Sequence, residues 1–278
     1  MKKRDYTKKQ IAGIILLSIA MLATAVILNQ FFPANSRETA TEPINKTTPK
    51  PTPQFTATPV PEITPTPDPT KKVATFLQGP KSWKKRLVWT GQWGEDYYDG
   101  GMFGSFGCGL CCMANIYTTF SGHQCSPIDM YQYAMKVTEY GGGGAIDWGY
   151  IKETLRTAGF ISDVWRKPPD YVDFQKQVKA SLACIVLVSS YNSDCYWKNT
   201  GGHYVTIFEY DEKSDKIFLA DSGNPNHNRQ WVKLKKIYKS LKTSNRWQYL
   251  AVTAFDASKD EWKHKGFGGN CILPKNWR

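Results

Sequence analysis

Several things are missing from this chain of 278 residues, and each absence narrows what it can do. No arginine-rich run is interleaved with aromatic residues. The net charge of +12 therefore lacks the pattern by which proteins track a phosphate backbone, and nucleic acid is excluded as an expected partner. Histidine is scarce, four residues in all, so imidazole chemistry must fall to His123, His203, His227 or His264. Cysteine is absent before position 108, and no second Cys-x-x-Cys pair follows Cys108 and Cys111. All seven cysteines lie in the C-terminal three-fifths of the chain: Cys108, Cys111, Cys112, Cys125, Cys184, Cys195 and Cys271.

What is present divides the chain. Residues 1–10 are basic, with Lys2, Lys3, Arg4, Lys8 and Lys9 against Asp5. Residues 11–28 carry no charge. A run of that length just spans a hydrocarbon core of about 30 Å at about 1.5 Å per residue. We expect a transmembrane anchor over 11–32, with the basic end inside and everything after it outside the cytoplasm. Ala23-Thr24-Ala25 resembles a cleavage site, so a cleaved signal peptide and a secreted protein stand as the alternative. Residues 33–74 are dominated by proline and threonine and have no apolar period. Such a segment forms a stiff, disordered linker. Residues 75–255 are long enough for one substantial core, and 256–278 form a C-terminal extension. The basic excess of the folded part suits anionic wall polymers, or simply a solvated surface.

Within the folded part, Leu110, Met113, Ala114, Tyr117 and Phe120 recur at helical spacing and predict a helix over 109–120. Ser126-Pro127 with Asp129 reads as a capped helix start. Asp147 opens a further helix that stops at Gly159, and another amphipathic segment covers 170–182. Strands are expected at 184–190, 203–211, 216–221 and 246–255, with a helix over 231–242. Helices precede an antiparallel sheet, which predicts an α+β fold of a helical half packed on a sheet half, with a cleft between them.

The three cysteines in GSFGCGLCCMANIY admit three readings. Zinc wants four N/S ligands, and Cys108, Cys111, His123 and Cys125 supply that number, but Cys111 falls inside an apolar helix and no second pair closes the site. No metal or cofactor is expected. Disulfides are the second reading; adjacent Cys111 and Cys112 cannot bridge each other without strain, and an odd count leaves one thiol unpaired. Buried free thiols are the simplest reading for Cys111, Cys112 and Cys184. The third concerns Cys108, which lies between Gly107 and Gly109 at a helix start. There the unpaired N–H groups and the macrodipole favour an anion, so a thiolate, the nucleophilic form, is stabilised.

A nucleophilic thiolate needs a base. His203 follows Gly201-Gly202 and opens a strand; His123, His227 and His264 read as ordinary surface or core residues. Asp221 ends the strand that pairs with the His203 strand and so comes beside it, able to hold the ring. Asn224 is a weaker candidate. A developing oxyanion needs donors, and the Cys108 N–H with the side chain of Gln92, sixteen residues upstream, would supply them.

With these residues placed, the chain resembles the papain-like cysteine peptidases of the bacteriocin leader-processing family, in its stand-alone extracellular branch. Q-W before a loop, G-C-G opening a helix, G-G-H-Y-V starting a strand and A-D-S-G-N-P ending the next carry the resemblance, over residues 77–255. Leu110-Cys111 and Ser222-Gly223 depart from the family pattern. The resemblance implies a papain-like fold with Gln92 in the oxyanion hole, Cys108 as nucleophile, His203 as base and Asp221 as its orienter. It implies a membrane-tethered extracytoplasmic thiol hydrolase cutting a peptide or a cell-wall peptide amide. Passing the same acyl-enzyme to an amine would make a transpeptidase or acyltransferase. A non-catalytic surface-binding module, built on the Trp89, Trp93, Tyr97 and Tyr98 cluster, is the rival from another class.

Overall fold

The computed structural model describes residues 68–79 and 96–268. The expected anchor at 11–32, most of the linker, Gln92 and Cys271 lie outside these residues. Among the described residues no helix is long and apolar enough to cross a membrane.

The first half of the described chain holds β1 (Tyr97–Tyr98), β2 (Gly101–Met102), α1 (Phe103–Phe106), α2 (Cys108–Phe120), α3 (Pro127–Val137) and α4 (Trp148–Thr157). Then come β3 (Ala158–Trp165), α5 (Tyr171–Lys179), β4 (Ala183–Val188), β5 (His203–Asp211), β6 (Lys216–Ala220), β7 (Gln230–Lys233), α6 (Leu234–Ser240) and β8 (Tyr249–Asp260). β3 to β8 form one antiparallel sheet in the order β3-β8-β4-β5-β6-β7.

β4 is buried at all six positions because the sheet is covered on both faces. Ile185 and Leu187 pack with the residues of α2 to α4, while Cys184, Val186 and Val188 pack with Phe174 of α5 and Ile237 of α6. That two-residue alternation is what a strand imposes. The α+β expectation of helices on an antiparallel sheet matches the observed layers, with two shorter helices added on the far face. α3 starts as its sequence dictates. The Ser126 Oγ accepts from Asp129 N at 3.1 Å, and the Asp129 carboxylate accepts from Ser126 N at 2.7 Å.

Three segments differ from the sequence reading. β3 follows α4 where no strand is expected: AGFISDVW mixes polar and apolar residues, and as an edge strand β3 is paired only with β8. Residues 230–233 form β7 rather than the first turn of a helix, since β6 offers an open edge and Trp231 pairs with Phe218. β8 runs to Asp260, five residues past the expected end.

Both expected domain limits, 75 and 255, fall within packed chain. Val73 and Ala74 are buried, and Arg229 donates to the carbonyls of Val73 (2.8 Å) and Thr70 (3.0 Å). Beyond β8, the Trp262 ring stacks on Tyr133 at 4.3 Å and tilts against Tyr117 at 4.8 Å. Tyr117, fully buried in α2, donates to Asp260 Oδ2 at 3.0 Å and accepts from the N–H of His264 at 3.0 Å. Removing that hydroxyl leaves the buried Asp260 carboxylate short of a donor. Tyr117→Phe is expected to lower stability by about 1–3 kcal/mol, read as a shift of the urea unfolding midpoint with an unchanged slope.

Candidate functional site

Cys108 is the first residue of α2 and is 7 % exposed. The chain enters α2 almost without a break from α1: Gly107 N donates to Phe103 O at 2.7 Å and Gly107 O accepts from Cys111 N at 2.9 Å. The glycines on either side of Cys108 serve close packing. A Cβ on Gly107 would meet the Phe103 ring at 2.3 Å, and one on Gly109 would meet Ile146 Cγ2 at 2.6 Å. Neither has the left-handed backbone that a sharp glycine turn would need. G-C-G therefore sinks the start of α2 between Phe103 and Ile146 and fixes where the sulfur lies.

His203 opens β5 opposite Val188 of β4, and Asp221 follows the last residue of β6. Thr206 pairs with Ala220, so the start of β5 and the end of β6 meet at one edge of the ladder. There His203 Nε2 lies 2.8 Å from Asp221 Oδ1. The other ring nitrogen, Nδ1, is left for the Cys108 side chain, and each group favours the charged form of the other. The structure thus brings His203 and Asp221 into contact, with Cys108 near enough for its ionisation to respond to His203.

The electrostatics follow from burial against partners. Burial alone pushes the Cys108 thiol up. The hydrogen bond and charge of His203, with the N–H groups of Tyr204 and Gly109, outweigh it and hold the thiol below its ordinary range. Burial likewise disfavours a charged His203, but Asp221 and Cys108 together raise it well above an ordinary imidazole. Both shifts run towards a thiolate–imidazolium pair, and the two groups titrate as a unit. Cys111 and Cys112, one turn deeper, are pushed far up by burial, and Cys184 is pushed up to about 12. Those three are the buried thiols that the sequence suggests. Cys108, Cys111, Cys112, Cys184 and Cys195 all carry free thiols.

Asp221 is fully buried, and both of its carboxylate oxygens accept hydrogen bonds. Oδ1 accepts from His203 and from the N–H groups of Gly223 and Asn224, both at 3.0 Å. Oδ2 accepts from Trp197 Nε1 at 2.8 Å, and His227 Nδ1 stands 3.3 Å away. Burial would raise this carboxyl, yet His203, His227 and Trp197 hold it far below the usual range.

Two residues escape the sequence reading. His227, read there as an ordinary loop histidine, stands against Asp221. Gln78 is 7 % exposed; its Oε1 accepts from Ser222 Oγ at 2.6 Å and its Nε2 donates to Gly104 O at 3.0 Å. It thus touches the neighbour of Asp221 and the turn that leads to Cys108. The signal for it is the apolar run VATFL just before it, at the end of a proline-rich stretch. His123 is stacked on Tyr117 and His264 on Trp262, which suits their ordinary reading. Among the described residues no three His, Cys, Asp or Glu side chains gather as metal ligands. A cavity of about 770 Å³ adjoins His203, walled by Tyr196, Thr200, Gly201, Asn224 and His227 among others.

The family model described as phytochelatin synthase matches residues 147–248, a stretch that holds His203 and Asp221 and begins after Cys108. No curated protein matches the chain. Among solved structures, the chain is similar to the peptidase domain of Streptococcus ComA, a bi-functional ABC transporter, at 14% identity and a TM-score of 0.36, covering 52% of this chain and 90% of that one. It is also similar to the N-terminal peptidase C39-like domain of the toxin secretion ATP-binding protein from Vibrio parahaemolyticus, at 14% identity and a TM-score of 0.34, covering 52% and 95%.

Two outcomes are expected from this geometry. At mildly acidic pH, iodoacetamide should modify Cys108 ahead of Cys111, Cys112 and Cys184, because its thiolate persists as pH falls below the ordinary thiol range. His203→Ala should abolish that selectivity, as peptide mapping would show. A Cβ on Gly223 would lie 2.9 Å from both His203 Cε1 and Nε2. Gly223→Ala should therefore displace the ring and slow Cys108 alkylation by up to about a hundredfold, with a lower melting temperature as the buried Asp221 carboxylate loses a donor.

Proposed function

We propose that this chain is a papain-like thiol enzyme that opens a peptide amide through Cys108. The observation that carries the reading is the His203 imidazole held 2.8 Å from a fully buried carboxylate, beside a buried thiol whose ionisation it favours. A structural cysteine has no use for such an arrangement, since neutral burial, as at Cys111 and Cys112, stabilises it more simply.

In this reading the Cys108 thiolate attacks the amide carbonyl and forms a C–S bond. The oxyanion that develops takes the Cys108 N–H and a side-chain amide. Gln92 is the candidate from sequence; Gln78, already placed between Ser222 and Gly104, is a second. The His203 imidazolium then gives its proton to the amide nitrogen, the C–N bond breaks and an amine leaves. Asp221 holds the ring and balances its charge throughout. A water molecule, losing its proton to His203, attacks the thioester and restores the thiolate.

The substrate is a peptide or a cell-wall peptide, met outside the cytoplasm by a domain tethered through residues 11–32. The basic surface suits anionic wall polymers as neighbours. An amine in place of water gives the acyltransferase fate, and the likeness of residues 147–248 to phytochelatin synthase supports keeping it.

The test is mass spectrometry of the protein incubated with wall-type peptides, with and without an added amine. A thioester mass on Cys108, product amine, and loss of turnover by at least about 10³-fold in Cys108→Ala are expected. An amide adduct of the added amine selects the transferase fate. Binding of the same peptides unaffected by Cys108→Ala, with no turnover in the wild type, would leave a binding module instead.

A further inference from the structure

Asp221 faces two imidazoles. His203 occupies Oδ1, whereas Oδ2 receives the Trp197 indole N–H and, at 3.3 Å, His227 Nδ1. That second nitrogen is buried and makes no hydrogen bond of good geometry to any described residue. A neutral His227 with Nδ1 bare would aim a lone pair at a carboxylate oxygen in a place closed to water. Repulsion disfavours that tautomer, so Nδ1 carries the hydrogen. The rest of the ring is held by Tyr196, at 4.5 Å between centroids, and forms part of the cavity wall beside His203. The side chain is 22 % exposed, so it is reached by whatever fills that cavity.

We propose that His227 is a positioning residue: its Nδ1–H is a second donor to Asp221 Oδ2, restraining the rotation of the carboxylate and through it the ring of His203. The inference rests on the reading of Cys108, His203 and Asp221 as the reacting set. Oδ1 is held by His203 and by the Gly223 and Asn224 N–H groups, whereas on Oδ2 Trp197 is the sole donor of good geometry among the described residues. A second donor on Oδ2 restrains the rotation that the carboxylate keeps. At 3.3 Å the contact is longer than a hydrogen bond to a charged acceptor usually is. The ionisable groups around His227 are Asp221 in contact, His203 across the carboxylate, Tyr196 against the ring and Lys198 in the cavity wall.

The full chain carrying His227→Phe or His227→Asn decides between positioning and packing. Phenylalanine keeps a ring against Tyr196 and deletes the donor; asparagine keeps a donor and deletes the ring. Cys108 alkylation is followed across pH in both and in the wild type. His227→Phe should lose about tenfold in rate at mildly acidic pH, the effect of one hydrogen bond to a charged group, with its thiolate titration moved to higher pH. His227→Asn should recover most of that loss. Wild-type behaviour of His227→Phe, or equal loss in both variants, overturns the proposal. Should a variant fail to fold, the ¹⁵N shifts of the wild-type histidines give an independent answer: a bare Nδ1 on His227 overturns it as well. A wild type whose Cys108 shows no His203-dependent ionisation removes the thiol-enzyme reading itself, an outcome visible without any change at position 227.

Discussion

A single buried charge organises this molecule. The carboxylate of Asp221 has no exposure to water, and an isolated ionised group in that position would cost far more than the whole stability of a domain of this size. It is tolerated because donors converge on it from three separate stretches of chain: the start of β5, the loop at Trp197 and the turn that follows β6. Each of those stretches is constrained as a result. The loop after β6 must turn back so that the Gly223 and Asn224 amides face the carboxylate. Gly223 must lack a side chain because the His203 ring occupies the space where one would go.

The same charge sets the chemistry at a distance. Asp221 raises His203, and His203 lowers Cys108 against the full opposition of burial. The contrast with Cys111 and Cys112 is instructive, because all three thiols belong to one helix and all are buried. Only the one with an imidazole within reach, at the end where backbone N–H groups are unspent, is shifted towards ionisation. Truncating one member of such a chain leaves the others buried and unpaired, so the three are expected to act as a unit rather than as a sum.

Much of this was legible in the sequence. β5 is read to its bounds, because HYVTIFEYD alternates and its hairpin turn is short. The capped start of α3 and the pairing of His203 with Asp221 follow from local rules and antiparallel geometry. β3 was not legible: an edge strand carries no strong alternation, and AGFISDVW follows a helix closely enough to look like its frayed end. β7 was hidden because its residues suit a helix until the open edge of β6 is known. His227 and Gln78 were missed for the same reason, since neither sits in a motif and each acquires its meaning only from what the fold brings beside it.

β8 is the last strand of the described residues and yet an interior strand of the sheet, lying between β3 and β4. The early portion, with Cys108 on α2 and β3 at its border, and the later portion, with His203 and Asp221 on β5 and β6, each have a ladder partner waiting on the other side of a gap. β8 closes the gap between them and makes the sheet continuous, and Asp260 at its far end ties down α2 through Tyr117. The strand that joins β3 to the rest of the sheet thus follows, in chain order, every residue of the site it supports.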